Sequence, residues 1–265
     1  MTTGGANVNV GYATNDAANT SAVVAIGYAA LTSNSANSLV AVGYQALYSN
    51  TTGANNTAVG YESLYSNTIG QRNTGLGHQS LYFNTTGNYN TAVGFQALLD
   101  NTTGPYNNAF GDNALANVTT GDGNIGVGYL AGGSITTGGN NINIGSQAND
   151  AANTSNVVAI GTSALTANSA NNLVAVGYAA LVSNTTGTNN TAVGYLSLYS
   201  NTIGQNNTGL GYQSLYTNTT GVNNTAVGYK ALYDNTTGSS NSAFGESALE
   251  NVTTGGSNVG VGNAA

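Results

Sequence analysis

Apolar residues in this chain come in short bursts, and each burst ends on a glycine. Val24-Ala25-Ile26-Gly27, Leu39-Val40-Ala41-Val42-Gly43, Asn56-Thr57-Ala58-Val59-Gly60 and Asn90-Thr91-Ala92-Val93-Gly94 are representative. Alternation of a β-branched residue with a small one predicts a strand. Val40 with Val42, or Thr57 with Val59, share one face. Ala25, Ala41, Ala58, Gly75, Ala92, Ala109 and Gly126 line the other. A strand apolar on one face and small on the other is expected to be buried on both. No stretch of about 11 residues shows helical 3.6-residue spacing.

After the glycine a second strand is predicted: Tyr44-Gln45-Ala46-Leu47-Tyr48, Tyr61-Glu62-Ser63-Leu64-Tyr65, His78-Gln79-Ser80-Leu81-Tyr82. Its leucine reads as core. Leu and Ala are neighbours there and cannot both point inward from an ideal strand, so a bulge or bend is expected. A polar turn follows, as in Asn50-Thr51-Thr52-Gly53, Asn84-Thr85-Thr86-Gly87 and Asn101-Thr102-Thr103-Gly104. Stacking would set Asn50, Asn67, Asn84 and Asn101 in one column, with amides bonding along it.

The glycines set the period. Gly11, Gly27, Gly43, Gly60, Gly77, Gly94, Gly111, Gly128, Gly145, Gly161, Gly177, Gly194, Gly211, Gly228, Gly245 and Gly262 follow one another at steps of 16 or 17 residues. Each turns a corner that wants positive φ or no side chain. A larger period overlies this one: Gly145 and Gly262 each stand 134 residues beyond Gly11 and Gly128. Two eight-lap units result, residues 1–134 and 135–265, the second continuous with the first. The predicted fold is all-β: a single-chain parallel β-solenoid of about sixteen coils of 16–17 residues.

Charge changes the picture little. The chain has 265 residues, 4% of them charged, with two basic groups (Arg72 and Lys230) against nine acidic ones and a net charge of −7. Nucleic-acid binding by phosphate neutralisation is excluded. Sparse charge also suits stacking, because a charge at a repeated position would face its own like. There is no cysteine, no apolar run approaching the roughly 20 residues of a membrane span, and no basic or apolar leader at Met1-Thr2-Thr3-Gly4-Gly5.

Val24-Ala25-Ile26-Gly27, Val158-Ala159-Ile160-Gly161 and Leu39-Val40-Ala41-Val42-Gly43, each with Ala two to three residues later, resemble the head repeats of YadA-like trimeric autotransporter adhesins. Similar Gly- and Asn-rich repeats occur in phage tail fibres. The resemblance implies a left-handed β-roll, three chains side by side, and a place outside the cell, at the cell surface or on a virion. The period here is longer than in the usual head repeat, and the chain shows no coiled-coil stalk, neck or membrane anchor.

Candidate sites are few. The carboxylates Asp16, Glu62, Asp100, Asp112, Asp122, Asp150, Asp234, Glu246 and Glu250 read as solvated turn residues. His78 is replaced by Tyr212 in the second unit and reads as a surface ladder member. No Ser-His-Asp set, metal spacing, calcium loop or phosphate loop can be assembled, and no cofactor is expected. The tyrosines form the candidate binding or interface ladders. Tyr28, Tyr44, Tyr61, Tyr178, Tyr195, Tyr212 and Tyr229 follow the anchor glycines. Tyr48, Tyr65, Tyr82, Tyr199, Tyr216 and Tyr233 make a second column. Such columns either pack the strands and chain–chain contacts or present a face to sugars or proteins. Asn-x-Thr sequons, for example at Asn50, Asn84, Asn101 and Asn235, are expected by chance in this composition.

The function expected is non-enzymatic: a structural or adhesive β-solenoid module of an extracellular fibre, adhesin head or viral tail fibre. It would self-associate as a homotrimer or filament and would meet a host-surface glycan or protein. One alternative is a filament subunit stacking head to tail. Another is an ice- or polysaccharide-binding solenoid, disfavoured because Thr51-Thr52 lies in a turn and Thr57 stands alone on its strand.

Overall fold

A computed structural model describes residues 5–15, 20–151 and 153–265. Asp16 lies outside them. The chain divides into two compact units, Met1–Gly138 and Gly139–Ala265. The division falls four residues past 134, because the turn over residues 135–138 lies on the preceding lap. Asn124 Nδ2 donates to Gly138 O at 3.0 Å and Thr119 N to Thr136 O at 2.8 Å.

The first unit holds β1 (Val8–Val10), β2 (Val23–Ile26), β3 (Leu39–Val42), β4 (Thr57–Val59), β5 (Thr74–Leu76), β6 (Thr91–Val93), β7 (Asn108–Phe110) and β8 (Ile125–Val127). The second holds β9 (Ile142–Ile144), β10 (Val157–Ile160), β11 (Leu173–Val176), β12 (Thr191–Val193), β13 (Thr208–Leu210), β14 (Thr225–Val227), β15 (Ser242–Phe244) and β16 (Val259–Val261). Within each unit successive strands pair in parallel, one lap to the next. Thr57, Ala58 and Val59 stand opposite Thr74, Gly75 and Leu76, and Thr191, Ala192 and Val193 opposite Thr208, Gly209 and Leu210. Each unit is thus an all-β parallel solenoid, with no helix among the described residues.

The anchor glycines are fixed by contact between laps. Gly60 has φ 141°, and a Cβ added there would lie 2.3 Å from Gly77 O. Real Cβ atoms do not come so close, and L residues rarely adopt that φ. The same contact recurs at Gly27, Gly43, Gly77, Gly94, Gly111, Gly161, Gly177, Gly194, Gly211, Gly228 and Gly245; Gly128 shares the positive φ.

Two expectations are corrected. The segment after the glycine is not a second strand, so each lap contributes one strand only. Gln45 and Leu47 both have φ 52°, Glu62 and Leu64 φ 52° and 53°. Residues of positive φ alternate with residues that lack it, and the segment is a run of turns. This lets the adjacent Ala46 and Leu47 both point inward, each fully buried, as an extended strand would forbid. The backbone polar groups remain paired: Gln45 N donates back to Tyr28 O at 2.9 Å, and Leu47 N forward to Ser63 O at 3.0 Å. Each non-glycine left-handed residue costs roughly 1–2 kcal/mol; leucine burial, worth about 1.5–3 kcal/mol per side chain, offsets part of it.

The second correction concerns the strand faces. The small residue faces the core, while the β-branched face points outward. Ala58 is fully buried, Thr57 half-buried, and Val59 is 37% exposed. The core is therefore alanine and leucine (Ala25, Ala41, Ala58, Leu47, Leu64, Leu81, Leu98), supplemented by Val23 and Leu39 where strands run to four residues and by Val118 and Ile135 from turns. Each lap is too narrow to hold two rows of large side chains. Where the inward strand residue is Gly75, the space is used by Ser63 and Ser80, which bond each other at 2.9 Å; Ser63 also donates to Gly75 O at 3.0 Å.

Asparagine completes the interior. Asn67 Nδ2 donates to Asn50 Oδ1 at 2.7 Å, Asn84 to Asn67 at 2.7 Å, and Asn101 to Asn84 at 2.8 Å. The column forms as expected, but it is fully buried. A second column was not foreseen. Asn73 N donates to Asn56 Oδ1 at 2.9 Å and Asn90 N to Asn73 Oδ1 at 2.9 Å. Their amides donate in turn to Gly87 O and Gly104 O. Buried amides are tolerable because nearly all of their ends are paired; Asn101 Oδ1, at the end of its run, is an exception. The laps of 16 residues keep the ladder going: Asn50 Nδ2 donates to Asn34 Oδ1 at 3.0 Å. The sequons at Asn50, Asn84, Asn101 and Asn235 are thus sealed in the core, where no glycan fits.

Candidate functional site: the aromatic ladders

Stacked laps turn a residue repeated in sequence into a row on the surface. The residue after each anchor glycine points outward, and rings at that place stack. Tyr28 and Tyr44 have centroids 5.3 Å apart, Tyr44 and Tyr61 5.1 Å, Tyr61 and His78 5.0 Å, His78 and Phe95 5.2 Å. In the second unit Tyr178, Tyr195, Tyr212 and Tyr229 repeat this at 5.2–5.3 Å. The other predicted column also forms: Tyr48, Tyr65 and Tyr82 at 5.0–5.1 Å, and Tyr199, Tyr216 and Tyr233 at 5.1 Å. His78 is a ladder member between Tyr61 and Phe95.

The spacing is slightly more than the ~4.8 Å between strands. Planes differ by only 3–15° between tyrosines of these columns. Within a column, ring faces are therefore spent on neighbouring rings. Solvent meets ring edges and phenol oxygens. Stacking of a sugar on an aromatic face is open only at a column's end.

Between the two columns runs a row of amides and one carboxylate. Gln79 Nε2 donates to Glu62 Oε2 at 2.9 Å, and Gln96 Nε2 to Gln79 Oε1 at 2.9 Å. Glu62 couples to rings of both columns. Desolvation, and then the Glu62 carboxylate, push the Tyr61 and Tyr82 phenols above their ordinary value. For Tyr216 desolvation leads and the neighbouring tyrosines add to it.

Sequence reasoning missed three features. The first is a third ladder, Tyr89 on Tyr106 at 5.0 Å, with the Arg72 guanidinium 5.2 Å from the Tyr89 ring and Nη1 donating to its hydroxyl at 2.7 Å. The 17-residue spacing of Tyr89 and Tyr106 was the signal. The second is Lys230, which stands over rings of both columns. Nothing in the sequence marks it. The third is the outward apolar row Ile26, Val59, Leu76, Phe110 and Val127, exposed beside the tyrosines; alternation alone does not say which strand face is outside.

Among the described residues no three His, Cys, Asp or Glu side chains gather as they would around a metal ion, and no helix is long and apolar enough to cross a membrane. What the surface offers is repeated, uncharged contact: ring edges, hydroxyls and aliphatic side chains at one-lap intervals. Comparison of the chain with protein-family models, with curated proteins and with solved structures finds no match in any of the three.

Proposed function

We propose that this protein is a non-enzymatic structural and adhesive module, part of an extracellular fibre, adhesin head or viral tail fibre, acting through self-association of its copies. One observation carries the reading. Most laps present the same outward pair, a β-branched or apolar residue and an aromatic one, as at Val59 and Tyr61, 37% and 45% exposed; Asp112, Ser146, Thr162, Glu246 and Asn263 replace the ring in the others. A contiguous row of such pairs is more apolar surface than an isolated chain ordinarily leaves in water. It is also poor in charge, as the centres of protein–protein contacts are.

The expected occupant of this row is another copy, because a second row of the same pitch meets it lap for lap. The small-residue face is already core, so the contact between copies falls on the valine–tyrosine face. Trimerisation and left-handed winding, implied by the resemblance to adhesin heads, belong to the same proposal.

Sedimentation equilibrium of the intact chain tests it. A mass three times that of one chain is expected, falling to one chain when Val59, Leu76 and Val93 are changed together to Thr. A monomer at all concentrations overturns self-association. Binding of the labelled protein to host-cell or glycan surfaces tests adhesion separately.

A further inference from the structure

The post-glycine column of the first unit is interrupted once. From Tyr61 it runs through His78 and Phe95, then Asp112, then Tyr129. His78 covers one face of Phe95 at 5.2 Å; the next lap offers the other face a carboxylate instead of a ring. Phe95 and Tyr129 are 46% and 52% exposed, and Asp112 is exposed between them. Two lap steps of ~4.8 Å set the two rings about 10 Å apart. A cation midway would lie ~5 Å from each centroid, inside the ~6 Å reach of a cation–π contact.

The second unit is built differently at this place: Tyr129 becomes Asn263, and the ring beside Tyr229 is Tyr233, where the first unit has Leu99. Adding 134 to each number, Phe95 becomes Tyr229, Asp112 becomes Glu246 and Gln96 becomes Lys230. There the chain supplies its own ammonium: Lys230 Nζ lies 5.6 Å from the Tyr229 centroid and 5.0 Å from that of Tyr233. In the first unit Gln96 is neutral and its amide is committed to Gln79. Arg72, the unit's one basic residue, is engaged by Tyr89. Asp112 itself accepts from the neutral amide of Asn113 at 2.5 Å.

We propose that Phe95, Asp112 and Tyr129 form a binding site for an organic ammonium ion, a place where two exposed ring faces flank a carboxylate and the chain supplies no cation of its own. The rings supply their negative faces and Asp112 the counter-charge, the combination that recognises alkylated ammonium groups. The site lies on the face that the scaffold reading gives to another copy but needs only one copy of the chain, so the titration is read on the protein with Val59, Leu76 and Val93 changed to Thr as well as on the parent.

The test uses the intact protein with ring-labelled phenylalanine, whose four residues give resolvable NMR signals. It is titrated with n-butylammonium chloride, with tetramethylammonium chloride, and with sodium chloride at equal ionic strength. The Phe95 signal should shift saturably with the organic cations, with a dissociation constant on the order of millimolar, and hardly with sodium. Tighter butylammonium binding would point to lysine-type ligands and tighter tetramethylammonium binding to choline-type ones. Asp112→Asn and Tyr129→Leu should each weaken binding by about fivefold or more, while Asp112→Glu keeps it. All three positions are exposed, so the variants should melt with the parent. A Phe95 signal that stays still, that follows sodium equally, or that responds unchanged in Asp112→Asn overturns the proposal.

Discussion

Lys230 lies over the ring of Tyr233, its Nζ 5.0 Å from the centroid, at the lap where that tyrosine column ends. The next lap brings Glu250 to the place of Tyr233 and Glu246 to that of Tyr229. Each terminal tyrosine has a ring partner on one side only, Tyr216 or Tyr212. The ammonium covers what stacking leaves bare, as Arg72 does for Tyr89. Both basic residues of the chain are thus used on tyrosine rings.

Removing that cover has a measurable cost. Lys230→Ala should lower unfolding free energy by about 0.5–1 kcal/mol, the range of a solvent-exposed cation–π contact. Lys230→Arg should retain most of it. Urea denaturation of the three proteins decides, and equal midpoints for Ala and Lys would refute the contact's contribution.

A methyl group on an anchor glycine should be far more damaging. In Gly60→Ala the new Cβ would collide with Gly77 O at 2.3 Å, and φ 141° is hostile to alanine. Neither lap can move without breaking its ladder. A loss of about 3 kcal/mol or more is expected, read from thermal unfolding or from loss of soluble protein.

The buried asparagine column makes a contrast between its middle and its end. Asn101 Oδ1 has no partner, because the next lap places Val118 in the column instead of an amide. Asn101→Val therefore only moves the unpaired oxygen one lap back, to Asn84, and costs about 1 kcal/mol. Asn67→Val strips a donor from Asn50 and an acceptor from Asn84, both in the core, and should cost about 2–3 kcal/mol. Chemical denaturation of both variants checks the order; equal losses would mean the ladder bonds do not matter individually.

Asp100 gives a pH dependence. Desolvation raises its carboxyl above the usual value of 3.8. The folded state then holds this proton more tightly than the unfolded one. Stability associated with this group is greatest below the unfolded pKa, falls as pH rises through the folded pKa, and is flat above it. Asp100→Asn should therefore be more stable than the parent at pH 7, with the difference shrinking below about pH 4. Melting temperatures across pH 3–8 test the sign.

Much of this was legible in a single sequence because a solenoid converts sequence period directly into contact. Gly60 and Gly77 are 17 residues apart, and that spacing alone predicts that they touch. The tyrosine columns, the asparagine column from Asn50 to Asn101 and the parallel register follow by the same rule. Even the conflict between adjacent Ala46 and Leu47 was visible, and it announced a bend.

Orientation was not legible. Period tells which residues line up, but a strand with Thr57 and Val59 on one side and Ala58 on the other can be turned either way. The interior width decided it: one leucine, two small residues and the asparagines fill each lap, as Leu47, Ala41, Ala46 and Asn50 do, so valine faces out. The left-handed backbone at Gln45 and Leu47 was equally hidden, since neither residue favours it and only packing of two neighbouring side chains on the same side compels it. Lys230 finds its rings, and Asn101 loses its partner, only through what the adjacent lap supplies. Periodicity alone specifies the repeat, the register and the rows; inside and outside are settled only on folding, because burial is a property of the closed lap and not of any segment within it.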